Sequence, residues 1–383
     1  MSASPHPIRT TVLGAGLSLS AFHYPLIASH PKLFTLHSVL ERSADLSPSK
    51  DKSYTKSAAK DRCGEQVKVV KSLEEVTRDP EVELVVIGVP NGLHFEYAKK
   101  CMEAGKHVML EKPITTTYDE SLQLIEIAKK NNVILTTYQN RRWDSDFLAV
   151  QQLLKDGKLG QLNEYNSHFD RYRPQATSSG WKEQPGAHND ALYNLGSHVI
   201  DQALVLFGKP ESVTGFSFSL RSGEGLDDSF VLHMHYPSST PASTPYPLMV
   251  TCRASMIRAQ DPQPRFNITG DKGSYVKFGL DPQEGEMRVW TPGSGRVVGD
   301  ESWGREEEEM WGELQTNQGG KLVKEKYPSP PGSYQNIYQN LYTAIREDKD
   351  KLIVKPEQAA LTMKIIELAF ESSREGKRLK VNV

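Results

Sequence analysis

The chain has 383 residues, with 46 Lys and Arg against 48 Asp and Glu and a formal charge of −2. Hydrophobic residues make up 37% and mean hydropathy is −0.52; this excludes collagen-like, mucin-like and wholly disordered chains. There is no basic excess to neutralise phosphates, so nucleic acid is not an expected partner. Cys63, Cys101 and Cys252 stand far apart, which argues against a disulfide framework and gives no metal-ligand spacing. No apolar run reaches the ~18 residues of a membrane span, and none makes a signal-peptide core. The expectation is a soluble, cytoplasmic protein of two or three domains, with no membrane partner and no metal.

In chain order, Ile8–Leu13 reads as a strand ending at Gly14, followed by Leu36–Leu40, Val82–Val89, His107–Leu110 and Val133–Thr137. Helical spacing appears between them at Leu93–Ala104 and Ser121–Lys130, the latter behind a capping-box pattern at Thr117 and Glu120. Strand–helix alternation at this spacing predicts βαβ units around a parallel sheet. After about residue 140 the pattern changes. Helices are expected at Phe147–Leu154, Leu192–Phe207 and Pro356–Ser373. Strands are expected at Leu162–Tyr172, Ser212–Leu220, Asp228–Tyr236, Leu248–Ser255, Arg265–Thr269, Ser274–Phe278 and Met287–Trp290. Pro237–Pro247 reads as a hairpin tip and Arg305–Glu309 as a solvated charged helix face. The fold class is an α/β Rossmann amino-terminal domain over 1–137, then an α+β domain over 138–383 with a large, mostly antiparallel open sheet.

The first strand runs into Gly14-Ala15-Gly16-Leu17-Ser18. Glycines at a strand-to-helix turn let a dinucleotide pyrophosphate approach the backbone. The third glycine of the usual fingerprint is replaced by Leu19, and Pro25 delays or bends the following helix. The second strand ends at Glu41, Arg42 and Ser43. An acidic side chain there suits the ribose of NAD, and Arg with Ser suits the 2′-phosphate of NADP, so both coenzymes stay open. Two more loops follow predicted parallel strands: Pro90-Asn91 with His94, and Glu111-Lys112-Pro113. Open α/β sheets bind ligands at such strand ends. In the second domain Asn194, His198 and Asp201 share one helix face. His198 is a natural proton-transfer group, and Asp201 could orient its ring; the plainer alternative is a helix cap with a core histidine.

In this order the motifs resemble the glucose–fructose oxidoreductase, inositol dehydrogenase and rhizopine-catabolism (Gfo/Idh/MocA) family. The likeness is strongest to its NADP-dependent scyllo-inositol dehydrogenase branch, through Gln139–Asp144, Phe169–Pro174, Leu195–Gln202 and Asp271–Gly279. The resemblance implies hydride exchange between a nicotinamide coenzyme, NADP ahead of NAD, and a sugar or cyclic polyol, in a homodimer or higher homo-oligomer. It implies Lys112 as the active-site lysine and His198 as the catalytic histidine; with a sugar or polyol as substrate, Tyr172, Arg173 and Trp181 are candidate contacts, because polyols are held by hydrogen bonds and aromatic faces. It also implies Tyr138, Asn140, Arg141, Arg142 and Trp143 on the coenzyme side of the cleft. The family's aspartate four residues before the histidine is here Asn194, which can hold a hydroxyl but cannot act as a base. A non-catalytic, sugar-responsive transcriptional regulator on the same fold is the alternative.

Overall fold

The first strand, β1 (Ile8–Leu13), has five of its six residues buried, as a strand covered on both faces requires. The computed structural model describes residues 6–45, 57–175, 188–221, 226–238 and 247–383. The amino-terminal half continues with α1 (Tyr24–Ser29), β2 (Phe34–Leu40), α2 (Ala58–Cys63), β3 (Lys68–Val70), α3 (Leu73–Arg78) and β4 (Leu84–Ile87). It ends with α4 (His94–Glu103), β5 (His107–Leu110), α5 (Tyr118–Asn131) and β6 (Leu135–Thr137). These strands form a six-stranded sheet in the order β3-β2-β1-β4-β5-β6, with every pairing parallel. Strand order reverses between β1 and β4, and a doubly wound sheet opens its ligand crevice there.

The second half comprises α6 (Ser145–Lys155), β7 (Leu162–His168), α7 (Ser197–Phe207), β8 (Ser212–Phe218), β9 (Ser229–Tyr236), β10 (Leu248–Ser255), β11 (Pro264–Gly270) and β12 (Gly273–Phe278). Then come α8 (Gln283–Val289), β13 (Gly312–Gln318), β14 (Lys321–Tyr327), α9 (Gln335–Arg346), α10 (Pro356–Glu375) and β15 (Leu379–Lys380). Its nine-stranded sheet runs β14-β13-β12-β11-β7-β10-β9-β8-β15 and is antiparallel except between β7 and β10. Helix α10 lies so close to β8 that a Cβ on Gly215 would sit 2.4 Å from the Ala369 carbonyl oxygen. The chain also returns to the first sheet. Tyr338 of α9 packs edge-on against Phe34 of β2, and Thr136 of β6 donates to the Val354 carbonyl.

The structure corrects several expected elements. Residues 287–290 are not a strand: α8 runs to Val289, its side chain Met287 buried and Val289 exposed, and Asp281 accepts from the Gln283 amide at its start. The run 305–309 is largely exposed, as expected, but is not a helix face. Glu306 is buried against Lys277 at 3.1 Å, and only a short turn, Glu308–Met310, is helical. Strand β7 stops at His168, four residues before the expected end. At the capping box, Thr117 accepts from the Glu120 amide, but the Glu120 carboxylate reaches back to Thr116. Strands β13 and β14 and helix α9 went unread, because β14 is almost wholly exposed and lacks an alternating apolar face. The 239–246 part of the expected hairpin tip lies outside the described residues, while β9 and β10 on either side pair antiparallel.

Candidate active site

The site grows from the carboxyl ends of β1, β4 and β5. Gly14 has φ +103°, and a Cβ there would lie 2.6 Å from the Gly88 carbonyl oxygen, so the β1 turn needs glycine. At Gly16 a Cβ would meet nothing within 4 Å, which leaves an open cradle. The Ser20 amide bonds back to the Gly16 carbonyl. The Leu17 and Ser18 amides precede it, in a first turn whose N–H groups have no intrahelical acceptor. A wide π-type turn, Leu19–His23, then leads into α1, with Pro25 in its first turn.

Opposite these loops, the second half closes a cleft of about 420 Å³. Lys112 and His198 both line it. Lys112 Nζ donates to Asn194 Oδ1 at 2.8 Å and to the Asn194 carbonyl at 2.9 Å. A second π-type turn, Leu192–Gly196, precedes α7 and delivers Asn194 and His198 to the cleft. His198 is 6% exposed and its Nδ1 has no hydrogen-bond partner. Burial, and then the charges of Lys112, Arg141 and Arg171, push its pKa well below the usual histidine value. The ring is therefore a neutral proton acceptor at pH 7. Glu111, one residue before Lys112, accepts from Ser18 Oγ at 2.9 Å and lies 3.1 Å from His23 Nε2. His23 Nδ1 in turn lies 2.9 Å from the Tyr338 hydroxyl. Burial works to raise the Glu111 carboxyl, but the His23 bond and charge, Lys112 and Ser18 hold it below its ordinary value.

The far wall is cationic. Phe169, Arg171 and Arg173 alternate into the cleft, with Arg141, Arg288 and Glu284 beside them. Glu284 pairs with Arg141 and Arg288. Burial raises its carboxyl, but Arg141, Arg288 and Arg171 prevail and bring it down to about 2.

A six-stranded parallel sheet, a glycine cradle and a lysine facing a neutral histidine invite comparison with known proteins. The NAD-binding Rossmann fold of an oxidoreductase family matches residues 8–139, and that family's C-terminal alpha/beta domain matches residues 151–383. The chain belongs to the Gfo/Idh/MocA oxidoreductase family. It is 37% identical over 372 residues to the scyllo-inositol 2-dehydrogenase (NADP(+)) IolW of Bacillus subtilis, covering 97% of this chain and 95% of that one. An oxidoreductase of Schizosaccharomyces pombe, C115.03, is 35% identical and covers 98% of this chain and 100% of its own. The solved structure of the Bacillus subtilis oxidoreductase yvaA superposes with a TM-score of 0.87 at 35% identity, over 98% of this chain and 99% of that chain.

The family's NAD-binding domain calls for a nicotinamide coenzyme, and the residues present fit one. The open backbone at Gly16 and the outward amides of the first turn suit a pyrophosphate. Beside them a second hollow of about 450 Å³ is lined by Gly14, Glu41, Arg42, Ser43 and Pro90, among others. Glu41 does not offer a free carboxylate there. It caps α2 instead, accepting from Ser57 Oγ at 2.7 Å and from the Ala58 and Ala59 amides. Burial works to raise its carboxyl, yet these bonds and Lys71 hold it lowered. Arg42 and Ser43 are exposed.

Of the other residues singled out from the sequence, Leu17, Ser18, Asn91, Glu111 and Asn140 also line the cleft. His94 does not: it is fully buried and braces the two strand-end loops, one nitrogen 2.8 Å from the Pro113 carbonyl and the other 3.1 Å from the Val89 carbonyl. Arg142 is turned away into a bidentate pair with Asp201, at 2.8 and 2.6 Å, and also reaches Gln358. Asp201 is therefore engaged by Arg142 and does not orient His198. Trp143 is buried in a core cluster that includes Ile337, Tyr338 and Leu341 of α9. Tyr172 is 58% exposed and lies outside the cleft lining. Trp181 lies outside the described residues. Sequence reasoning did not single out Arg171, Glu284, Arg288 or His23. A signal for Arg171 existed: alternation along an extended chain puts residue 171 on the face of 173 and opposite 172.

Among the described residues, no group of three His, Cys, Asp or Glu side chains could hold a metal ion, and no helix is long and apolar enough to cross a membrane.

Proposed function

We propose that the protein is an NADP(H)-dependent dehydrogenase that interconverts a secondary hydroxyl and a carbonyl on a sugar or cyclic polyol. The observation that carries this reading is the convergence of Lys112, from the end of β5, and a buried neutral His198, from the start of α7, on one cleft beside the glycine cradle. The similarity to IolW supports the polyol class.

The nicotinamide, when bound, supplies the hydride acceptor for oxidation and the donor for reduction. The chain supplies the proton chemistry. His198 takes the hydroxyl proton, its depressed pKa keeping it in the accepting form. Lys112 Nζ donates to the oxygen as negative charge develops on it. Asn194 holds Lys112 in place through its side-chain and backbone oxygens. The Ser18–Glu111–His23 bonds tie the glycine loop to the strand end that carries Lys112.

NADP is favoured because the Glu41 carboxylate is committed to the α2 amino terminus while Arg42 and Ser43 stand exposed at the adenosine end. Reduction of NADP+ and NAD+ by a panel of inositols and aldoses tests the reading. We expect NADP+ to be preferred by about 10–100-fold in kcat/KM, the worth of charged hydrogen bonds to one phosphate. Tight coenzyme binding with no reduction of either coenzyme by any polyol would overturn the enzyme in favour of a coenzyme-binding regulator.

A further inference from the structure

The wall facing Lys112 and His198 carries more positive charge than a neutral polyol needs. Among the described residues, Lys112, Arg141, Arg171, Arg173 and Arg288 line the cleft with two carboxylates, Glu111 and Glu284. Glu284 is bonded to Arg141 and Arg288, and Glu111 sits beside Lys112. Arg171 and Arg173 have no ion pair among the described residues. Their backbones are pinned: the Arg171 amide donates to the Ser255 carbonyl at 2.8 Å, and that of Arg173 to the Met256 carbonyl at 2.6 Å.

Arg171 is held in place yet left unsatisfied. Its Nε is buried without a hydrogen-bond partner among the described residues, although guanidinium groups inside proteins are ordinarily matched by acceptors. Burial and the nearby arginines depress its pKa to about 10, against the pull of Glu284. Its position points to the substrate end of the cleft. The guanidinium carbon lies 5.2 Å from the Phe169 ring centroid, and the His198 ring packs against the same phenyl group at 5.9 Å. Position 194, where the family resemblance implies an aspartate, is an asparagine and adds no negative charge.

We infer that the substrate carries an oxyanion, a carboxylate or a phosphate, and that Arg171 with Arg173 binds it next to the carbon handled by Lys112 and His198. The inference rests on the dehydrogenase reading above and narrows its substrate class. An oxyanion would accept from the buried Nε and the rest of the guanidinium fork, the geometry that arginine offers and lysine does not.

The test is calorimetric titration of NADPH-saturated protein, in which the coenzyme's own phosphate sites are filled. The probes are matched pairs: glucuronate against glucose, and an inositol monophosphate against inositol. We expect at least one anionic member to bind about tenfold or more tighter than its neutral parent. Arg171→Gln removes that advantage and leaves the neutral parent within about twofold. Arg171→Lys restores part of it, and Arg173→Gln, at an exposed position, gives a smaller loss. Equal or tighter binding of both neutral parents overturns the inference, as does an anionic advantage that survives Arg171→Gln. Turnover with NADP+ separates the two claims. Coenzyme reduction by neutral polyols alone sinks the oxyanion site and leaves the dehydrogenase. Arg171-dependent anion binding without any coenzyme reduction sinks the dehydrogenase and leaves the site.

Discussion

Arg142 and Arg171 are both largely removed from water, but their surroundings differ. Arg142 spreads its donors over Asp201, Gln358 and the Ile353 carbonyl. Arg265, behind the cleft, is matched in the same way by Asp146, Gln202 and Ser167. Arg171 and His198, which line the cleft, each keep a buried nitrogen without a hydrogen-bond partner among the described residues. Arg142 and Arg265 are thus completed by the protein itself, whereas Arg171 and His198 are left for a ligand to complete. An unmatched buried polar group costs stability, and on the wall of a cleft a ligand can supply the missing partner.

The largest expected effect tests the incomplete side. His198→Ala should lower kcat by about 10²–10⁴, the usual worth of general acid–base help, with the dissociation constant of the coenzyme unchanged. Steady-state kinetics paired with coenzyme titration checks this, and an unchanged kcat removes His198 from the proton step. The next tests the complete side. Asp201→Ala leaves the Arg142 guanidinium buried and unpaired and should cost about 3–5 kcal/mol in denaturant unfolding. Replacing both partners with apolar residues should recover most of that loss, and a single-variant cost under about 1 kcal/mol would show that the pairing is not structural.

A third prediction concerns a half-buried histidine at the start of β5, His107, whose Nδ1 accepts from the Ile134 amide. Burial and Arg346 lower its pKa from 6.5 to about 4, against Glu83. With the folded value depressed, the unfolded chain takes up the proton first. Wild type therefore loses stability as pH falls through 6.5 toward 4, by up to about 3 kcal/mol from this group. His107→Gln lacks that loss, so stability curves of the two proteins measured between pH 7 and 4 should converge or cross as pH falls. Parallel curves would mean that His107 is protonated in the native state. The smallest effect returns to the opening contrast. Arg171→Met, unlike Asp201→Ala, should leave stability unchanged or raise it by about 1 kcal/mol, because it removes a desolvated cation that has no ion-pair partner among the described residues. A loss comparable to that of Asp201→Ala would place Arg171 among the structural arginines.

Much of the frame was legible in the residues. The bounds of β1, β5 and β10 coincide with apolar runs closed by turn residues, and Gly14, Gly16, Lys112 and His198 all reach the cleft region. Side chains were misjudged where periodicity was ignored or where the partner lay far along the chain. Tyr172 and Arg173 were expected to share the pocket, but extended backbone sends neighbours to opposite faces. Glu41 looked like a ribose acceptor because nothing nearby in sequence showed that Ser57, Ala58 and Ala59 would claim it. Met287 and Val289 suggested a strand, but one buried methionine and one exposed valine sit equally well on a short helix.

By itself the sequence determined the alternation of strands and helices, the glycine turn after β1 and the lysine at the end of β5. These follow from steric limits and hydrophobic periodicity acting over a few residues. Only the tertiary structure decided which charges are matched. Arg142 with Asp201, Lys277 with Glu306, and Glu41 with the start of α2 are pairings between distant segments. Electrostatic complementarity depends on distance in space, so whether an arginine serves the fold or awaits a ligand is settled when the two sheets meet.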